Sequence, residues 1–363
     1  MHDFRVPLAK PSPDCEAFIS ALLGRHIPDR PPLVEYLVDA TVMRPILTEG
    51  MGREWVVPQP GDPASFAAYW DNFIAFWHHM GYDFVRLEIA LPFPSNVHLT
   101  DDSAPGVLQK RAWRDQHHGT IETWDDFERY PWPDPAQMDY SPLEYVNAHL
   151  PEGMGLISCH AGGIYEHLSA IMSYERLCFA LIDAPDLVRA VCDRIGELMQ
   201  AYYRHILDLD HLIAVFPGDD MGYKTATLIS PEHLKQYTLP WHKRFRDMTH
   251  DRGLPYFLHS CGNLEAIMPW LIEEVGIDGK HSYEDAIVPV TEMHRRYGDR
   301  IAILGGIDVD VLTRAEPERL RAYVRGIIDE LAPRGRYAVG SGNSIPSYIP
   351  VDNYLTMIDE ALR

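Results

Sequence analysis

The chain has 363 residues and a formal charge of -21, with 46% hydrophobic and 23% charged side chains. That composition belongs to a folded protein, and the length exceeds one ordinary hydrophobic core while suiting a (β/α)8 barrel. The excess of acid excludes non-specific binding to nucleic acid or to an anionic membrane surface, which needs clustered Lys and Arg.

In chain order, Met1–Pro7 lacks the charged and apolar regions of a signal peptide, and no apolar run reaches membrane-spanning length. The five cysteines (Cys15, Cys159, Cys178, Cys192 and Cys261) are odd in number and irregularly spaced. Both features predict a cytoplasmic protein without a disulfide framework. Residues 1–32 mix Pro, Asp and Arg around a short helical pattern at Cys15–Leu23, and read as an N-terminal extension.

Eight apolar runs follow: Leu33–Val38, Phe84–Leu87, Met154–Cys159, Leu212–Phe216, Pro255–His259, Ile277–Lys280, Ile301–Leu304 and Tyr337–Val339. Helical patterns separate them. After Asp183-Ala184-Pro185-Asp186, the residues Leu187, Val188, Val191, Ile195, Leu198 and Tyr202 keep helical spacing. Ser230-Pro231-Glu232 combines an N-cap, a first-turn proline and an acid at the positive dipole end. Near Pro317, the positions Leu320, Tyr323, Val324, Ile327, Ile328 and Leu331 mark one buried face. Eight alternating units predict an α/β protein, a (β/α)8 TIM barrel over residues 33–363. An open doubly wound sheet ranks below it, because no strand-Gly-x-Gly-x-x-Gly-helix fingerprint is present. A long insertion after the second strand, between Leu87 and Met154, includes Tyr130-Pro131-Trp132-Pro133-Asp134-Pro135. It reads either as a lid over the barrel mouth or as packing on the flank.

Candidate site residues come from the C-terminal ends of the strands, where such barrels place their chemistry. The strand at Pro255–His259 runs into Ser260-Cys261-Gly262-Asn263. Side chains alternate along a strand, so His259 and Cys261 share a face and offer an imidazole and a thiol to one soft metal ion. A buried thiol beside a hydrogen-bonded core histidine is the structural alternative. The other strand ends contribute Glu88; Cys159, His160, Gly162 and Gly163; Gly218, Asp219, Asp220 and Lys224; His281; Gly305, Gly306 and Asp308; and Ser341 and Asn343. Each acid or serine alone fits a helix cap, but together they converge ionisable groups on one rim. The glycines fit positive φ or close backbone approach.

With these residues in view, the chain resembles the uroporphyrinogen decarboxylase superfamily, which includes cobalamin-dependent methyltransferases. The resemblance rests on Gly218-Asp219-Asp220-Met221-Gly222, Leu258-His259-Ser260-Cys261-Gly262-Asn263, Gly305-Gly306-Ile307-Asp308 and Gly342-Asn343-Ser344-Ile345-Pro346…Asn353. It covers the chain from about residue 32 and implies a (β/α)8 barrel, often dimeric. The decarboxylases carry an arginine-rich Arg-Gln-Ala-Gly-Arg-Tyr-like segment; the corresponding Leu37–Pro45 stretch has Arg44 alone. The zinc methyltransferases use His-x-Cys plus a distant C-terminal cysteine. His259 and Cys261 match the first two, and Val339–Pro346 contains no cysteine.

Three readings follow. The leading one is methyl transfer to or from a corrinoid protein, assisted by zinc at His259 and Cys261. In it Asp219, Glu88 and His281 handle protons, and His160, Tyr165, Asp220, Lys224, Asp308, Ser341 and Asn343 contact a small-molecule substrate. Asp219, His281, Glu88, Cys159 or His160 could complete the metal site. The second is a metal-free decarboxylase acting on a smaller acid. The third is a non-catalytic binding barrel.

Overall fold

A computed structural model describes residues 4–101 and 110–363. The strands are β1 (Phe84–Ala90), β2 (Val97–Asp101), β3 (Lys110–Arg114), β4 (Gly155–Ala161), β5 (Leu212–Val215), β6 (Phe257–His259), β7 (Gly279–His281), β8 (Ala302–Leu304) and β9 (Tyr337–Ala338). Apart from the antiparallel β2–β3 hairpin, all pair in parallel, as β1-β4-β5 and β6-β7-β8-β9. A parallel bridge between Val215 and Tyr256 links the two groups. The expected first strand, Leu33–Val38, is an extended segment that bridges Val339 and Ile345 rather than a full ladder. Eight parallel segments therefore follow one another in barrel order. Among the described residues no backbone ladder joins β1 to Leu33–Val38. Side chains meet across that seam: the Arg86 guanidinium lies 3.5 Å from the Tyr36 ring centroid, and the Tyr36 hydroxyl donates to Glu88 at 3.4 Å.

The helical layer follows the expected periodicity. The helix Pro185–Ile206 buries Leu187, Val188, Val191, Ile195, Leu198 and Tyr202, and Pro317–Leu331 buries Leu320, Val324, Ile327, Ile328 and Leu331. Each such aliphatic side chain contributes about 1.5–3 kcal/mol of burial before chain entropy is subtracted. The Ser230 hydroxyl accepts from the His233 amide, the N-cap that its sequence context predicts. Helix Cys15–Leu22 covers the N-terminal end of β1, with Phe18 against Phe84 at 5.0 Å. Among the described residues no helix is long and apolar enough to cross a membrane.

The insertion packs on the barrel flank, as one of the two expectations has it. Its helix Ser141–Ala148 buries Leu143 and Val146 on the barrel flank. Its hairpin brings Arg114 to the rim, where Nη1 donates to the Glu166 carbonyl at 2.9 Å. The hairpin tip, residues 102–109, lies outside the described residues.

Candidate functional site

β6 ends at His259, and the chain turns through Gly262 at φ +80°, which packs against the backbone of Gly222. A side chain at Gly262 would meet both a left-handed conformation and a neighbouring loop. The turn brings Cys261 back over the strand, with Sγ 3.4 Å from His259 Nε2. The exit from β5 runs alongside, since Gly218 bridges His259 and the Asp219 amide donates to the His259 carbonyl at 3.0 Å. This delivers Asp220, whose Oδ1 lies 3.5 Å from His259 Nε2 and accepts the Cys261 amide at 2.8 Å.

The three ligand atoms of Asp220, His259 and Cys261 all lie within 4.8 Å of one another. Standard zinc bond lengths at a tetrahedral angle place nitrogen about 3.6 Å from sulfur and about 3.3 Å from oxygen. The 3.4 and 3.5 Å separations therefore fit a common ion. The mixed N, O and S set suits zinc or a similar borderline cation, with a fourth position left for substrate. Asn343 completes the rim: its Nδ2 lies 3.1 Å from Cys261 Sγ. It belongs to Val339–Pro346, the stretch in which the resemblance implied a third cysteine and none is present.

Supporting residues hold this cluster. The Tyr36 ring stacks on His259, with centroids 4.0 Å apart and planes 18° from parallel, and Arg86 covers its seam. Arg86 also donates to Glu88 at 2.7 Å and to the Phe216 carbonyl at 3.1 Å. Behind His259, its Nδ1 lies 2.7 Å from His281 Nδ1, and His281 Nε2 donates to the Ser341 carbonyl at 3.0 Å. The Ser341 hydroxyl and amide both donate to Glu35, a fully buried carboxyl. Burial favours the neutral form of both imidazoles and raises the Cys261 thiol well above its ordinary range, with the Asp220 charge adding to the latter. For Asp220 burial works upward, and the hydrogen bond from the Cys261 amide works against it.

The remaining expected residues fall in different places. Asp219 is fully buried, and its carboxylate accepts from the Tyr165 and Glu166 amides and pairs with His242 Nε2 at 2.8 Å. It braces the start of helix Ile164–Met172 and offers no open face to the mouth. Gly163 has no room for a Cβ because the Asp219 carboxylate lies against it. His160 points into the helical layer beside Tyr203 and Phe245, because Cys159 takes the inward direction on β4. Asp308 caps helix Val309–Arg314, and Lys224 is exposed without a hydrogen-bond partner among the described residues. A cavity of about 550 Å3 opens beside Asp220, lined in part by Arg114, Tyr165, Glu166, Tyr174 and Tyr223. Burial, followed by the charges of Asp220 and Asp219, pushes Glu166 up to about 7. Neither Glu166 nor Glu35 stood out in the sequence. Each is one acid in a helix start or an apolar run, and what singles it out is distant in the chain: the charges of Asp220 and Asp219 for Glu166, and Ser341 for Glu35.

The family model described as Uroporphyrinogen decarboxylase (URO-D) matches residues 116–363. The chain belongs to the uroporphyrinogen decarboxylase family. A curated uroporphyrinogen decarboxylase from Thioalkalivibrio sulfidiphilus (strain HL-EbGR7) is 27% identical over 195 residues, 52% of this chain and 52% of that protein. One from Cupriavidus necator is 32% identical over 103 residues, 28% of this chain and 26% of that protein. The matches thus span about half of one relative and about a quarter of the other. Among solved structures, a methyltransferase from Methanosarcina mazei shares the fold, with a TM-score of 0.68 over 96% of this chain and 98% of that one, at 15% identity. The family is one of enzymes, with decarboxylases and a methyltransferase of like fold among the proteins this chain resembles.

Proposed function

We propose that this family member is a methyltransferase in which Asp220, His259 and Cys261 hold one zinc ion, and in which the neighbouring cavity receives the methyl donor or acceptor. The observation that carries the reading is the approach of an imidazole, a thiol and a carboxylate from two adjacent strand exits to distances that suit one tetrahedral ion. A bound zinc would supply Lewis acidity toward a heteroatom of the substrate. Asn343 orients the Cys261 sulfur, and Tyr36 fixes the plane of His259. Glu166, on the cavity wall and titrating near neutral pH, gives or takes the substrate's proton. This moves proton transfer away from Asp219 and His281, whose hydrogen-bonding atoms are occupied within the protein. Glu88 stays near the mouth as a second carboxylate, partnered by Arg86. The partner in this reading is a small corrinoid protein that presents its cofactor at the rim, and the chain acts as a homodimer.

The test is elemental analysis of protein grown with added zinc, beside a His259→Ala/Cys261→Ala variant, followed by methyl-transfer assays with methylated corrinoid proteins. About one equivalent of zinc in the wild type, lost together with turnover in the variant, is expected. A wild type that holds no metal, or a variant with unchanged turnover, refutes the reading. Activity on a small carboxylic acid that survives Cys261→Ser would establish the decarboxylase reading in its place.

A further inference from the structure

Ser341, His281 and His259 form a line of hydrogen bonds that ends at the proposed metal position. A carbonyl oxygen can only accept, so the Ser341 carbonyl places the proton of His281 on Nε2. A neutral imidazole carries one N–H and one lone pair, which leaves His281 Nδ1 as an acceptor. His259 Nδ1, 2.7 Å away, must then be the donor in that contact. Its own lone pair falls on Nε2, the atom that lies 3.4 Å from Cys261 Sγ and 3.5 Å from Asp220 Oδ1. The proton positions are assigned from this network.

We propose that His281 is a positioning residue that fixes the tautomer of His259, so that Nε2 presents its lone pair to the space shared with Asp220 and Cys261. Glu35 anchors the far end of the line. It accepts from both the hydroxyl and the amide of Ser341, and so holds the peptide whose carbonyl orients His281. Tyr36 adds the second constraint by stacking on the ring face, so His259 is held by edge and by plane. Metal-bound histidines depend on such a partner at the other ring nitrogen, both for orientation and for basicity. Here the partner is a second histidine rather than a carboxylate or a carbonyl. The metal-binding consequence rests on the function proposed above, whereas the tautomer itself does not.

Nitrogen-15 NMR of the metal-free protein, labelled at histidine, reads the tautomer directly, and competition titration with a chromophoric chelator reads zinc affinity. In the wild type His259 is expected as the Nδ1–H form. His281→Leu removes the acceptor; the His259 signal then loses that preference and zinc binds about 10–100-fold more weakly. His281→Asn places Oδ1 where Nδ1 stood and restores both readouts, which a role limited to filling space would not do. A wild-type His259 protonated at Nε2, or a folded His281→Leu variant with unchanged tautomer and zinc affinity, overturns the proposal. Should His281→Leu fail to fold, the wild-type spectrum and the Asn variant still decide. A wild type that binds no zinc refutes the metal reading, and the spectrum decides the relay separately.

Discussion

Asp219 and Asp220 are adjacent acids with opposite expected phenotypes. Truncating Asp219 to Ala strips partners from the Tyr165 and Glu166 amides, at 3.1 and 3.0 Å, and from His242 Nε2 at 2.8 Å, in a site with no solvent access. Each buried polar group left unsatisfied costs about 1–3 kcal/mol, and breaking a buried paired carboxylate costs about 3–5 kcal/mol. These overlap, so the expected loss is about 3–5 kcal/mol, a large part of a typical domain's stability. The two amides belong to the first turn of helix Ile164–Met172, so the loss also removes a negative charge from that helix's positive end. The Asp220 side chain is 42% exposed and accepts one amide, so Asp220→Ala should cost no more than about 1.5 kcal/mol. It removes a proposed ligand and should weaken zinc binding at least about tenfold. Urea unfolding followed by circular dichroism, paired with zinc titration, separates the two effects. An Asp219→Ala variant that unfolds at the wild-type midpoint would falsify the bracing argument, as would equal destabilisation by both substitutions.

Two further expectations concern the surrounding shell. Burial pushes Glu35 up to about 8, with the Ser341 hydrogen bonds opposing it only in part, against an ordinary value of 4.5. The folded protein therefore keeps a proton there that the unfolded chain has released. Its contribution is fully present below about pH 4.5 and is lost as pH rises toward about 8, by up to about 1.4 kcal/mol per unit. Glu35→Gln should flatten the stability profile over that window, and an unchanged slope in urea midpoints measured from pH 5 to 8 would refute the assignment. Asn343→Cys puts a thiol where Nδ2 approaches Cys261 Sγ at 3.1 Å, and so supplies the ligand that this stretch lacks relative to the zinc methyltransferases. Zinc affinity should rise at least about tenfold, by analogy with the weight of single partners at metal sites. Equal affinity in a chelator competition would show that Asn343 does not face the ion.

The sequence makes legible what depends on one strand or one helix, and leaves hidden what depends on register between them. Alternation along β6 places His259 and Cys261 on one side, and the 3.4 Å approach of their donor atoms is that alternation realised. The same rule, applied to β4, separates Cys159 from His160. Only one of two neighbours on a strand can face inward, so Cys159 reaches the rim and His160 does not. Arg86, Glu88 and Cys159 meet because β1 and β4 pair Glu88 with Cys159, and His259 meets His281 because β6 and β7 pair those two positions. No local pattern encodes either register. Loops are harder still, since Gly218-Asp219-Asp220 has no periodicity to say which acid turns inward to a helix start and which stays at the rim. What decides it is Gly163, 56 residues earlier, whose missing side chain lets the Asp219 carboxylate reach the helix amides. With Asp219 turned that way, the next side chain points to the opposite side, toward His259. The brace and the proposed ligand are thus one structural decision, and loss of the first should misplace the second even where the chain still folds.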